Sequence, residues 1–283
     1  MLSRLLVLCL LYSSFISATR ATESPDIVFF TDNQFIHQDI KTKVPTDVSG
    51  AILLMLFTKL DIWPELVDVA PPRASIVMQQ ADNISCTPLM QKNEARAQHY
   101  LFSKPLVVYL TPRLYQQADD DPVAARYLNN GEISSLPAVF NDTKKLLLLM
   151  KGRSYGSFLD GELARIDQKN IRYRYGGDPV NKDLQMLTRR DVNYVLTYPQ
   201  NVFFLLQHDK DVALRSYRIT GSPSYSPARI MCNKTAQSAA FLEKVNAVLP
   251  ELYDTPEYLN SHIRFNPPGS DAELADAVKA LRQ

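Results

Sequence analysis

The chain has 283 residues, with 31 Lys and Arg against 30 Asp and Glu, and only 9 glycines. A near-neutral chain lacks the electrostatic footprint for nucleic acid or anionic membranes, and so few glycines argue against a glycine-rich phosphate cradle. Its length suffices to bury a large core, as one big domain or two moderate lobes.

Residues 1–21 come first and read as a leader. They carry an early Arg4, an apolar run from Leu5 to about Ile16, and then the small residues Ser17, Ala18 and Ala21, the layout of a cleaved secretory signal peptide. The run is too short to span a bilayer, and no later stretch approaches about 18 apolar residues, so the product is expected to be exported without membrane insertion. Cys9 lies inside the apolar run behind the bulky Leu8, which makes a poor lipobox. Cleavage would remove two of the 31 bases, Arg4 and Arg20, leaving 29 against 30 acids. Cys86 and Cys232 would remain. They read either as one disulfide or as two buried thiols; in an oxidising compartment one disulfide is simpler, and closing so long a loop contributes about 5 kcal/mol. Two cysteines cannot hold a metal cluster, and His37, His99, His208 and His262 show no paired spacing, so neither metal nor cofactor is expected.

Strand and helix patterns then alternate, which predicts an α/β architecture. Residues 26–31 (DIVFFT) read as a strand and 50–60 (GAILLMLFTKL) as a buried helix. Another helix is expected over 71–80 and a short strand over 84–86. Asn93 is a good N-cap and Glu94 suits a first turn, which puts Arg96 at the third helical position, near the positive end of the helix dipole. That placement costs a few tenths of a kcal/mol to about 1 kcal/mol unless an anion is close. Such an arginine is either a solvated surface residue, or it joins the free N–H groups of its turn in holding a carboxylate. Residues 102–110 (FSKPLVVYL) are extended, with Pro105 marking an edge or crossover.

Further along, 145–150 (KLLLLM) is a continuous apolar run of the kind found in a fully buried parallel strand. After a loop over 151–157, helices are expected over 158–167 and 181–190, an extended piece over 171–175 and a strand over 193–197. The turn-rich 220–227 (TGSPSYSP) marks a boundary. A strand over 228–232 follows, then a helix in which Phe241, Leu242, Val245, Val248, Leu249 and Leu252 keep the helical period. Ser270 and Glu273 are spaced as a capping box for a last helix over 271–281. If Cys86 and Cys232 pair, the chain leaves one lobe near residue 110 and returns near 225.

Three motifs, in order, carry a resemblance. Asn93-Glu94-Ala95-Arg96 followed by Leu101-Phe102-Ser103-Lys104-Pro105 resembles the T-x-x-R … F-S-x-P signature of extracellular solute-binding proteins of family 3. These are the amino-acid-binding receptors that serve ABC transporters. The run from Lys145 through Gly152-Arg153-Ser154-Tyr155-Gly156 resembles the family's second-lobe strand and loop. Leu184 to Leu187, with Val192 through Pro199, resembles its L-x-x-L … R-x-D segment, and the likeness runs from about Asp26 to Leu252. It implies a type II-like Venus-flytrap fold: a signal peptide at 1–21, a first lobe from 22–110 and 225–283, a second from 111–224, and a two-strand hinge. The implied function is capture of a small polar or anionic, carboxylate-bearing solute in the interlobe cleft. A periplasmic monomer without catalysis would deliver it to a membrane permease or a sensor.

By the same resemblance, Arg96 is the first-lobe anion anchor and Ser154, Tyr155, Gly156 and Ser157 face it from the second lobe. Two anchors on opposite lobes let a ligand stabilise the closed state by its differential contacts. Asn93 stands where the family carries Thr, and keeps a cap and a side-chain oxygen. Tyr198 falls where amino-acid receptors place an acid for the ligand's ammonium group, and a neutral phenol supplies no such charge. Asp32 could partly replace that acid, or serve only to form a turn. The subset with a cysteine ahead of K-x-x-x-R and another after the second hinge has no assigned ligand.

Two enzyme alternatives compete. Gly152-Arg153-Ser154-Tyr155-Gly156 is a literal G-x-S-x-G between a strand and a helix; in that reading Ser154 attacks an ester, His208 or His262 is the base, and Asp191 orients it. No oxyanion-hole motif lies upstream, and the strands that should precede such an elbow are missing. A dehydratase on the same fold would need a cleft acid or base that the sequence does not nominate. The sequons at Asn83, Asn141 and Asn233 are frequent chance matches, and Pro71-Pro72 either sends Arg73 toward the cleft or, more simply, makes it a solvent-facing helix start.

Overall fold

A computed structural model describes residues 27–141, 143–175 and 179–282. The leader and its Cys9 lie outside them. The first run of elements is β1 (Ile27–Phe30), α1 (Gln34–Thr42), α2 (Val48–Leu60), β2 (Glu65–Val67), α3 (Pro71–Gln80), β3 (Ile84–Met90), α4 (Glu94–His99), β4 (Tyr100–Phe102) and β5 (Val107–Leu110). The second is β6 (Arg113–Gln117), β7 (Leu128–Asn129), β8 (Glu132–Ile133), α5 (Leu136–Asn141), β9 (Leu147–Met150), α6 (Ser157–Ala164), β10 (Ile171–Arg174), α7 (Pro179–Thr188), β11 (Tyr194–Thr197), α8 (Pro199–His208) and β12 (Leu214–Tyr217). The third is β13 (Tyr225–Asn233), α9 (Ala236–Tyr253), α10 (Pro256–Arg264) and α11 (Asp271–Ala280).

These strands form two main sheets. One has the order β2-β1-β3-β13-β4, with β5 also paired to β13; the other has the order β10-β9-β11-β6-β12. In the first, β1 is parallel to β2 and β3 while β13 runs antiparallel to β3, β4 and β5. In the second, β9 is parallel to β10 and β11 while β6 runs antiparallel to β11 and β12. The chain therefore passes between sheets twice, through 111–112 and 218–224, beside the paired strands β5 and β13.

Burial explains the local choices. In β9, Leu147 and Leu149 pack in one core and Leu148 in another, so the strand is covered on both faces and has no use for alternation. The other sheet rests on Phe29, Ile52, Phe57, Ile230, Val245 and Tyr258. Caps set several helix starts: Asp47 accepts from Gly50 N–H (2.7 Å), Thr235 from Ser238 N–H (3.1 Å) and Thr255 from Tyr258 N–H (3.3 Å). Cys86 and Cys232 form a disulfide between directly opposed positions of β3 and β13. The expected capping box at Ser270 and Glu273 is not made. Ser270 Oγ donates instead to Pro267 O (2.5 Å), and Glu273 pairs with Arg218 (2.8 Å) on the returning connection.

His262 on α10 is fully buried. Val108 N–H donates to its Nε2 (3.2 Å), which leaves the proton on Nδ1 for the Tyr258 carbonyl (2.8 Å). Burial holds the neutral form and depresses the pKa to about 4, against an ordinary 6.5. In the unfolded chain the imidazole binds a proton below pH 6.5, whereas in the fold it waits until about 4. Stability is therefore expected to fall between these values as pH drops, by about 3 kcal/mol from this group, and to be unaffected by it above 6.5. Urea denaturation across that window checks the sign; in His262→Gln the slope should shrink by about one proton's worth.

Candidate functional site

The carboxyl ends of β1, β3, β9 and β11 all open on one cleft between the sheets, of about 730 Å3. Open α/β sheets place ligands at such strand ends, because the loops there leave backbone groups and side chains uncommitted. Of the residues singled out in the sequence, Asp32, Arg96, Ser154 and Tyr198 line it; Asn93, Tyr155, Gly156 and Ser157 do not.

Asn93 is occupied as the cap of α4, where its Oδ1 accepts from Arg96 N–H (2.9 Å). The Arg96 side chain turns into the cleft. Its Nη1 donates to Gln91 O (2.8 Å) and its Nη2 to Gly152 O across the cleft (3.3 Å). Burial lowers the Arg96 pKa, countered by Asp160, Tyr198 and Tyr100. Two carbonyl dipoles, one on each side of the cleft, thus meet the guanidinium that looked misplaced in a first helical turn.

The facing loop differs from the sequence expectation. Ser154 Oγ donates to Asp160 Oδ2 (2.5 Å), and Tyr155 N–H donates to Asp160 Oδ1 (2.8 Å). A carboxylate from α6 therefore takes the donors expected to await a ligand. Gly156 N–H points back to Ser154 Oγ (3.3 Å), and its φ of 96° is one that only glycine adopts without strain. Tyr155 is buried in the second sheet's core, its pKa pushed up to about 12 by that burial, while Ser157 is exposed. Besides Lys151, Gly152 and Ser154, the loop brings to the cleft Arg153, a residue the sequence reading passed over. Among the described residues no hydrogen bond or ion pair engages its guanidinium.

Tyr198 caps the end of β11 and lies against Tyr109, with ring centroids 5.4 Å apart. Burial raises its pKa against the pull of Arg153 and hydrogen bonds with Ser226 and Gln91, so it stays a neutral phenol. Tyr109 shares a hydrogen bond with Ser49 (2.9 Å). Two acids line the cleft: Asp47, which caps α2, and Asp32, whose pKa burial raises and Arg153 lowers. Asp32 Oδ2 and Gln200 Oε1, one from each side, are buried acceptors without a partner among the described residues. Each costs about 1–3 kcal/mol while no donor meets it. Gln200 carried no sequence signal beyond its place after Pro199, a helix-start residue. An aromatic wall completes the cleft: Phe203 and Phe204 on α8 face Phe35 on α1, the latter two rings in edge contact at 4.9 Å.

Among the described side chains the hydrolase constellation is not assembled. Ser154 is tied to Asp160 without a histidine, both ring nitrogens of His262 are committed in the first sheet's core, and no described lining residue is a histidine. The His208 side chain lies outside the described positions.

No protein-family model matches the chain, and no curated protein matches it. Solved structures do. A putative L-cystine ABC transporter protein from Listeria monocytogenes superimposes with a TM-score of 0.63 at 12% identity, over 86% of this chain and 96% of that one. An ancestral arginine-binding protein bound to glutamine gives 0.61 at 14% identity, over 86% and 98%. The arginine-, lysine-, histidine-binding protein of Geobacillus stearothermophilus gives 0.59 at 12% identity, over 88% and 99%. At such identities the likeness establishes architecture: the chain has the two-lobe α/β fold of the substrate-binding proteins of amino-acid ABC transporters.

Proposed function

We propose that this protein captures a small polar or anionic organic solute in the interlobe cleft and hands it to a membrane permease or sensor. The observation that carries this reading is Arg96, whose guanidinium lines the cleft and bridges its two sides through Gln91 O and Gly152 O. A ligand in that gap contacts both lobes only when they are together, so binding favours the closed state. The lobes are 22–110 with 225–283, and 111–224, turning about the connections at 111–112 and 218–224. The carboxylate end of the ligand meets Arg96 and Arg153. Asp32, Ser154 and Tyr198 are ligand contacts, while Asn93, Tyr155, Gly156 and Ser157 hold the loops that present them. Delivery to an ABC importer is supported by the neighbours, several of which are named as transporter components. Among the described residues no helix is long and apolar enough to cross a membrane, which suits a periplasmic monomer released from its leader.

In a thermal-shift screen of carboxylates, Arg96→Ala is expected to abolish ligand-induced stabilisation. The unliganded protein should lose about 1 kcal/mol or less, the worth of two partly solvated hydrogen bonds. A variant that is stabilised as fully as the parent would remove Arg96 from the site.

A further inference from the structure

Building on the receptor reading, we propose that the ligand is an aromatic acid carrying at least one N–H or O–H donor, not a compact polar solute. Three independent features of the cleft specify it. The first is charge. Lining cations outnumber acids: Arg73, Arg96, Lys151, Arg153 and Arg264 against Asp32 and Asp47. Most of these cations are occupied or solvated. Lys151 sits over the Tyr173 ring (4.4 Å), Arg264 over Phe265 (5.0 Å), Arg96 holds two carbonyls, and Arg73 is exposed. The half-buried Arg153 is left to fork onto an anion.

The second feature is the pair of buried acceptors, Asp32 Oδ2 and Gln200 Oε1. Buried acceptors are rarely left unmet in native proteins, and these two stand on opposite sides of the cleft, so a donor between them joins the lobes. The third is the wall. Phe35, Phe203, Phe204 and Tyr198 present ring faces and edges, which reward a planar apolar body through area burial and ring stacking. A cleft of about 730 Å3 also lies well inside the roughly 300–1,000 Å3 that encloses drug-sized ligands.

The test is calorimetric titration with three pairs of probes that share a head group and differ in the ring: L-alanine and L-tyrosine, pyruvate and 4-hydroxyphenylpyruvate, acetate and indole-3-acetate. In at least one pair the ring-bearing member is expected to bind about tenfold tighter or more. Which pair responds separates amino, oxo and plain acids. Phe203→Ala and Arg153→Ala should each weaken that binding about tenfold or more, and Gln200→Leu should weaken it while leaving the unliganded melting temperature level or higher. If probes bind but in no pair does the ring-bearing member bind tighter than its partner, this proposal is overturned and the receptor reading stands. If no probe binds, native mass spectrometry of the purified protein decides: an aromatic acid retained supports the proposal, any other retained molecule overturns it, and no retained molecule overturns the receptor reading as well.

Discussion

Replacing Cys86 and Cys232 together by alanine, or reducing them, is expected to cost about 2–5 kcal/mol of stability. The two cysteines are separated by 146 residues, and that span contains every strand of the second sheet. Cross-linking removes the loop-closure entropy of this whole insertion from the unfolded chain, a benefit that grows with loop length in the chain-entropy model. The bond also ties β3 to β13, the strand that returns from the second lobe, and both cysteines are fully buried. Denaturant midpoints measured with and without reductant check the effect. An unchanged midpoint would show that the unfolded chain gains nothing from the cross-link.

Gly50→Ala is expected to cost about 3 kcal/mol or more, although alanine is worth about 1 kcal/mol over glycine inside a helix. A Cβ at Gly50 would lie 1.9 Å from Asp39 Oδ2. Asp39 has no room to give: it is fully buried, and its carboxylate accepts from Thr46 N–H (2.9 Å) and Thr46 Oγ1 (2.8 Å). The methyl group must push that carboxylate off its donors or push α1 from α2. A double-mutant cycle with Asp39→Ala tests the cause. The second substitution removes the carboxylate that the new methyl group meets at 1.9 Å and leaves only the Asp39 Cβ at 2.8 Å, so adding Gly50→Ala to Asp39→Ala should cost less than adding it to the parent. Equal costs in both backgrounds would locate the damage elsewhere.

Elements buried on both sides were the most legible in the sequence. The run at 145–150 appears as β9, and the apolar helix at 50–60 sits within α2. What escaped were short or polar pieces whose structure depends on partners. α1 was not predicted, because its apolar positions are few and its buried face includes Asp39. β6 and β12 pair across about a hundred residues, a contact with no local signature. Residues 102–110 were read as one extended piece, but Ser103–Leu106 separates β4 from β5. At the site, Arg96 was visible because it sits badly in its own helix, and Tyr198 only through the family resemblance, as a phenol where amino-acid receptors carry an acid. Arg153 was hidden inside a motif that drew attention to Ser154. Nothing local says that Asp160, on the next helix, would take the donors of Ser154 and Tyr155. Phe203 and Phe204 were not singled out, since a helix pattern does not reveal whether an apolar face meets protein or ligand.

If the cleft is a solute site, native mass spectrometry of the protein purified without denaturation tests it most directly. The expected spectrum shows the chain with a single small-molecule adduct that is lost on acid denaturation and absent from Arg153→Ala. A spectrum of the bare chain alone, unchanged when the aromatic and aliphatic acids above are added, would contradict it.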